Sequence, residues 1–446
     1  MPSTPVLYRV AARLGSALAP ALSPLSAKLA AGHRGRRDAG RRLAAWAARS
    51  RDHSRPLVWF HASSVGEGLQ AESVLLELRQ SHPEAQYVYT HYSPSAEPLA
   101  RRLPVDAADY LPYDLPAAAD LLLGALAPSL IVFSKLDLWP ELATRAAHRG
   151  VSVAMVAATV SPESGRLRWP ARVLSREGYR AVGLAAAVSD DDAARLARLG
   201  VGSDRIRVLG DPRFDSVVQR ISGIDRDDPL LRLGRGAPTM VAGSTWPGDE
   251  AVLLDAFARM HARRPDARLI LVPHEPTPRH LAAVEEAARG AGLPAPVRLS
   301  AVTAPAPLVL VDRVGALATL YGAGTMAYVG GGFGRAGLHS VLEPAAWGVP
   351  VAFGTRWRQS RDAALLLEAG AAEALTRNGS PGGEELYRVW LSWIEDEGRR
   401  ATQGERARSV VERGRGASRR SAEMLGQAIS SRPLRTSPIA GRRAPA

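Results

Sequence analysis

Glu67 stands in HASSVGEG, residues 61 to 68, where an apolar run ends and helix-forming residues begin. A carboxylate at a strand-to-helix turn is a candidate general base. It is equally what the dipole of a helix start favours. Gly66 permits a sharp turn there, and Ser63 and Ser64 are natural caps. Two further stretches, LPYDLP (111 to 116) and SKLDLWPEL (134 to 142), also follow apolar runs. Lys135 and Asp137 therefore either face the same crevice as Glu67 or form a solvated strand end. GDPRFD (210 to 215) adds Arg213, a fork suited to a phosphate or a carboxylate.

A second concentration of chemistry lies late in the chain. YVGGGFGRAGLHSVLEP, 328 to 344, places Gly330, Gly331, Gly332, Gly334 and Gly337 between an apolar strand end and a helix start carrying Ser340 and Glu343. A strand, a glycine-rich turn and a helix N-terminus make an anion site, because backbone N–H groups approach closely and the helix end is partly positive. Gly332, Gly334 and Gly337 match the dinucleotide fingerprint literally, but no acid follows at the required distance. AGSTWPGDE (242 to 250) puts Ser244 and Thr245 at a strand end and reads as a capping box as much as a binding site. VPHEPTPRH (272 to 280) clusters His274, Glu275, Arg279 and His280. Adjacent residues in a turn seldom ligate one ion, so no metal is expected.

The elements that must position these residues alternate. Strands are expected at 57–62, 86–91, 130–134, 151–160, 184–188 and 205–209, with an extended piece at 110–115 and helices at 66–80, 95–103, 140–149 and 190–199. The scheme repeats with strands at 239–243, 268–273, 308–312, 326–329 and 349–353 and helices at 248–262 and 279–290. Residues 384 to about 429 read as helical and charged. Such alternation implies an α/β protein with parallel doubly wound sheets and ligands at the carboxyl ends of strands. The expected order is an N-terminal membrane-associated segment (1–50), a first Rossmann-like domain (51–215), a linker (216–238), a second Rossmann-like domain (239–430) and a disordered basic tail (431–446).

The chain has 446 residues, no cysteine and a net charge of +13, carried almost wholly by arginine, since Lys28 and Lys135 are its lysines. Disulfides and thiolate metal sites are excluded. A basic surface suits anionic lipid, phosphorylated substrates or nucleic acid, and the absence of any aromatic-interleaved basic motif argues against nucleic acid. Residues 5 to 32 are Ala- and Leu-rich but broken by Arg9, Arg13, Pro20, Pro24 and Lys28. That run is too short to span a bilayer. It reads either as a segment lying at a membrane interface, with Arg34, Arg36, Arg37, Arg41 and Arg42 meeting anionic headgroups, or as surface helices packed on the first domain.

In order, HASSVGE, YLPYDLP, LDLWPEL, GDPRFD, GSTWPGDE, LVPHEPT, DRVGALATLY and GGGFGRAGLHSVLEPAAWGVPVAFG resemble the transferases that move 3-deoxy-D-manno-oct-2-ulosonic acid (Kdo) from CMP-Kdo to lipid A precursors. The resemblance covers about residues 57 to 370. It implies a GT-B fold of two Rossmann-like domains facing a central cleft. It also implies an enzyme at the cytoplasmic face of the inner membrane, and inverting transfer without a metal or other cofactor. Glu67 matches the family's proposed base, and Gly315, Gly331, Gly332, His339, Ser340 and Glu343 match its donor side. Ser244, Thr245, His274 and Glu275 are further donor-side candidates, and Lys135, Asp137 and Arg213 are acceptor-side or transition-state candidates. Many members have a carboxylate where Lys135 stands, and P-R-H-P where this chain reads Pro273-His274-Glu275-Pro276. Lys135 would then pair with a substrate anion, or pair with Glu67 and lower its pKa. A transferase using another nucleotide sugar, and a non-catalytic nucleotide- or lipid-binding relative, remain alternative readings.

Overall fold

Short runs of aliphatic and aromatic residues that are buried along their whole length need helices on both faces of the sheet they join, which is the condition of a parallel sheet. The computed structural model, which describes residues 4–334 and 336–430, contains two such sheets. In the first, β1 (Leu57–His61), β2 (Gln86–His91), β3 (Ala107–Tyr110), β4 (Leu130–Ser134), β5 (Ser152–Ala158), β6 (Leu184–Ala187) and β7 (Ile206–Val208) run in the order β3-β2-β1-β4-β5-β6-β7. In the second, β8 (Thr239–Thr245), β9 (Arg268–Pro273), β10 (Val297–Arg298), β11 (Leu308–Leu310), β12 (Met326–Val329), β13 (Val351–Phe353) and β14 (Ala372–Ala374) run β10-β11-β9-β8-β12-β13-β14. Every pairing is parallel. The direction of winding reverses between β1 and β4 in one sheet and between β8 and β12 in the other. Those reversals open the crevices where such sheets hold ligands.

Chain contacts group Met1–Ser216 with Arg415–Ala446 as one unit and Val217–Gly414 as another. This corrects the expected boundary at 430. The helix Ala417–Ser430 belongs to the first unit, where Ala422, Met424, Leu425 and Ile429 join a core with Val74, Leu75 and Leu78. Asp215 holds its start by accepting from the N–H groups of Gly416 (2.6 Å) and Ser418 (2.8 Å). An amphipathic stripe shows that a helix packs and not on which core it packs. The expected linker is also partly helical, because Pro212–Ser222 forms one helix in which Val217 and Ile221 are buried. The extended piece expected at 110–115 is instead β3, which ends at Tyr110; Pro112 has no N–H to give a ladder.

Residues 6 to 50 hold α1 (Val6–Leu22), α2 (Ala27–Arg37) and α3 (Ala39–Ser50), and α3 packs on β3 and on the helix Pro116–Leu126. α1 leaves Val6, Leu7, Val10, Leu14 and Leu18 exposed. Among the described residues no helix is long and apolar enough to cross a membrane. The tail expected at 431–446 lies outside the described residues.

Candidate active site

β1 and β4 end side by side, His61 in register with Phe133. The chain after β1 turns into α4 (Val65–Ser81), whose start is a capping box. Glu67 Oε2 accepts from the Ser64 N–H (3.0 Å) and hydroxyl (2.7 Å), and Ser64 Oγ accepts from the Glu67 N–H. The chain after β4 is tied to the same turn. The Ser63 N–H donates to Asp137 Oδ2 at 2.7 Å, and the Ser134 hydroxyl donates to the Glu67 carbonyl at 3.0 Å. Glu67, Lys135 and Asp137 thereby line one cavity of about 440 Å³ together with Ser161, Ser164 and Arg166. Lys135 sits in the left-handed region, φ +54°, with its N–H on the Val156 carbonyl. A non-glycine residue in that conformation is strained, and such strain concentrates at functional sites.

The environment raises the proton affinity of Glu67. Burial is the main cause and the negative charge of Asp137 the next; the Ser64 hydrogen bond and the Lys135 charge oppose them and lose. The Lys135 charge pulls the Glu67 pKa downward, as expected, but burial and Asp137 outweigh it. Arg213 is not among the residues that line this cavity. Its guanidinium grips Asp211 through Nε (2.8 Å) and Nη2 (2.6 Å) at the start of its helix.

Behind the turn lies a buried relay absent from the sequence reading. The Trp139 indole N–H donates to His61 Nε2 at 2.8 Å. An indole can only donate, so His61 carries its proton on Nδ1 and gives it to Thr90 Oγ1 at 3.0 Å. Thr90 also accepts from the Trp59 indole and lies within 3.4 Å of the Phe60 carbonyl. Burial pushes the His61 pKa down to about 3, so the ring is neutral. Nothing in HASS or LWPEL signals that His61 and Trp139 meet, because they are brought together only by the β1–β4 pairing.

In the second unit β8 bulges at Ser244, φ +54°, and the helix Pro247–Arg263 follows. Asp249, fully buried, accepts from the Trp246 N–H (3.0 Å), the Tyr328 hydroxyl (2.9 Å) and the Gly331 N–H (2.8 Å). Gly331 has φ +91°, and a Cβ there would lie 2.0 Å from the Gly337 carbonyl oxygen. The glycines therefore fold the loop tightly, but the Gly331 N–H serves Asp249 and is not free for an anion. The expected helix start is present as Leu342–Trp347, with Glu343 in its first turn, but that helix is only six residues long and begins beyond the last glycine of the loop. Ser340 Oγ accepts from the Leu342 N–H, and Glu343 is paired with Arg220 at 2.5 Å.

Three rings stack beside this loop. His274 lies 4.9 Å from Trp246 and 4.4 Å from His339, centroid to centroid. The Trp246 indole N–H donates to His339 Nε2 at 3.0 Å, which leaves the His339 proton on Nδ1. Burial and the neighbouring His274 lower the His339 pKa to about 4. Thr245 is fully buried and gives its hydroxyl to Glu250, which also holds His280 at 2.9 Å, so these three side chains brace the strand end rather than face a ligand. Glu275 contributes its carbonyl to His280 Nδ1. Gly315 takes φ +88° and Gly332 packs against Gly354, where a Cβ would meet backbone nitrogen at 2.6 Å. Among the described residues no three His, Asp or Glu side chains converge as metal ligands.

Comparison with known proteins gives a consistent picture. Residues 37–216 match the family model for 3-deoxy-D-manno-octulosonic-acid transferase (kdotransferase). A 3-deoxy-D-manno-octulosonic acid transferase of Bordetella pertussis is 29% identical over 391 residues, covering 82% of this chain and 86% of the relative. One of Chlamydophila psittaci is 28% identical, covering 72% of this chain and 75% of the relative. Among solved structures, UDP-GlcNAc 2-epimerase of Neisseria meningitidis aligns at a TM-score of 0.58 and 12% identity over 85% of this chain and all of that one. A glycosyltransferase of Rickettsia africae aligns at 0.58 and 11% identity over 84% of this chain and 98% of that one. At that identity the structures speak for the fold alone, the two doubly wound sheets of the GT-B class.

Proposed function

The chain belongs to the Kdo transferase family, and from that footing we propose that it transfers Kdo from CMP-Kdo to a lipid A precursor in lipopolysaccharide synthesis, with inversion at the anomeric carbon and Glu67 as base. The acceptor hydroxyl gives its proton to the Glu67 carboxylate as its oxygen bonds to the anomeric carbon. The bond from that carbon to the phosphate breaks, and CMP leaves with the electron pair. A base needs a proton affinity near that of its task, and burial beside Asp137 moves Glu67 that way. That pairing at the β1–β4 reversal is the observation that carries the proposal. Lys135 and Arg166 are the cations of this cavity, set among Glu67, Asp137 and Glu163, and we assign to them the contact with an anionic substrate group.

On the donor side we assign the Trp246, His274 and His339 stack to the nucleotide. Stacked rings offer a face to a base, and the His339 Nδ1–H has no hydrogen-bond partner among the described residues. Ser244 and the turn at Gly315 belong to the same proposed donor side. The exposed apolar residues of α1 support peripheral attachment to the cytoplasmic face of the inner membrane. Incubating the protein with CMP-Kdo and a tetraacylated, bisphosphorylated glucosamine disaccharide should release CMP and yield a lipid heavier by Kdo in the mass spectrum. CMP binding without either product would overturn the enzymatic reading in favour of a binding protein.

A further inference from the structure

A second cavity in the first unit, of about 560 Å³, lies at the β3 edge of the sheet, where α2, the helix Glu97–Arg102 and the ends of β2 and β3 meet. It shares no residue with the Glu67 cavity. Its cations are Arg34, Arg42 and Arg101, and its carboxylates are Glu97 and Asp109. Arg42 holds Asp109 through Nε at 2.7 Å and through Nη2. Arg101 holds Glu97, which also accepts from the Tyr110 hydroxyl at 3.0 Å. Each carboxylate thus has its own arginine. Arg34 is left over, with no hydrogen-bond or ion-pair partner among the described residues.

His91, the last residue of β2, lines the same cavity and is only 2% exposed. Its ring lies 4.1 Å from that of Tyr110, centroid to centroid. Nδ1 is 3.1 Å from the Ser93 carbonyl oxygen, which can only accept, so Nδ1 carries the proton and Nε2 a lone pair. Nε2 has no hydrogen-bond partner among the described residues. Burial and the Arg36 charge lower the His91 pKa, against the Ser93 carbonyl, Glu97 and Asp109, so the ring is neutral at neutral pH. The apolar part of the wall is three alanines, Ala31, Ala100 and Ala108, which bury little of an alkyl chain. The cavity thus combines a spare guanidinium and an unmet imidazole nitrogen with room for a polar ligand of sugar size.

We propose that this cavity binds a soluble polyol phosphomonoester, its phosphate between Arg34 and His91 Nε2 and its hydroxyls donating to Asp109 and Glu97. The paired carboxylates keep lone pairs for such hydroxyls, and a guanidinium with an N–H suits the phosphate. The bond from the phosphate to Nε2 needs one proton. A free monoester is mostly a dianion above its second pKa of about 6, so binding takes that proton from solution. The inference rests on the cavity's own chemistry and stands whether or not the chain transfers Kdo. The Ser93 N–H donates to the Ser63 carbonyl at 2.7 Å, so His91 reaches the turn that carries Glu67 through Ser93.

Titration calorimetry of the full chain with glucose 6-phosphate, inorganic phosphate and glucose tests it without any sugar nucleotide. Glucose 6-phosphate should bind roughly tenfold tighter than either other probe, since each supplies only part of the recognition. Arg34→Met should lower that affinity roughly tenfold, while Lys135→Met, in the other cavity, should leave it unchanged. Titrations at pH 7.5 in buffers of different ionisation enthalpy should show uptake of about one proton per site. His91→Asn, whose amide can still donate to the Ser93 carbonyl, should abolish that uptake. Vesicles of phosphatidylglycerol should not displace the sugar phosphate. Glucose 6-phosphate binding no tighter than inorganic phosphate overturns the proposal, as does affinity unmoved by Arg34→Met or lost in Lys135→Met. Proton uptake persisting in a folded His91→Asn protein overturns it too, and displacement by the vesicles would make the cavity a lipid headgroup site instead.

Discussion

The backbone N–H of Ser63 and the carboxylate of Asp137 are joined at 2.7 Å across the β1–β4 crevice, and this bond sets two carboxylates, Asp137 and Glu67, within electrostatic reach of each other. The loop after one strand thus adds to the raised proton affinity that burial gives a residue after another. Neither loop could do so alone.

If Glu67 is the base, two substitutions should move the acid limb of the pH–rate profile in opposite directions. The Asp137 charge raises the Glu67 pKa, so Asp137→Asn should shift the limb to lower pH while the amide oxygen still accepts from Ser63. The Lys135 charge lowers it, so Lys135→Met should shift the limb upward. Glu67→Gln should cost about 10²- to 10⁴-fold in transfer and leave CMP affinity unchanged. Steady-state kinetics between pH 5 and 9, with CMP calorimetry, checks all three.

The His61 relay should appear as a pH dependence of stability. His61 is held neutral, with its pKa brought down to about 3 from an ordinary 6.5. Between those values the unfolded chain binds a proton that the folded chain refuses. Stability therefore falls as pH drops below about 6.5, by up to about 1.4 kcal/mol per pH unit from this group. Urea unfolding at pH 7.5, 6 and 5 should show that slope, and His61→Gln should reduce it, leaving the share that His339 contributes in the same sense. Trp139→Phe removes the 2.8 Å donor to His61 Nε2, leaves it only the Ser63 hydroxyl at 3.5 Å, and should cost about 1–3 kcal/mol.

If the ring stack holds the donor, removing His274, which stacks on both other rings, should weaken nucleotide binding. His274→Ala is expected to lower CMP affinity by about 5- to 150-fold, the range for one lost base–aromatic stack of about 1–3 kcal/mol. Trp246→Phe keeps a ring but frees His339 Nε2 to take up the proton, and its loss should be smaller. Equal CMP affinity in all three proteins would remove the stack from the donor site.

The proposed membrane attachment through α1 predicts that Leu7→Glu with Leu14→Glu abolishes co-sedimentation with vesicles containing anionic lipid. Both residues are more than half exposed, at 63% and 58%, so folding should be undisturbed. Unchanged sedimentation would overturn attachment through α1.

Alternation of apolar runs with helical stretches, and glycines at strand ends, were enough to read two parallel sheets and the loops that carry Glu67, Lys135, Asp137, His274 and His339. Those are local properties: the period of a pattern and the conformations a residue type allows. What depended on tertiary structure was which loops meet. The β1–β4 and β8–β12 neighbours follow from strand order, and strand order put Asp137 beside Glu67, Trp139 on His61 and Asp249 under Gly331. It also decided which polar groups were already satisfied, as with Thr245, Arg213 and Glu343, because a hydrogen-bond partner distant in sequence leaves no mark on the residues around either end. The helix 417–430 was legible as amphipathic, yet its core was not, since burial is a property of the surface it meets and not of the stripe it carries.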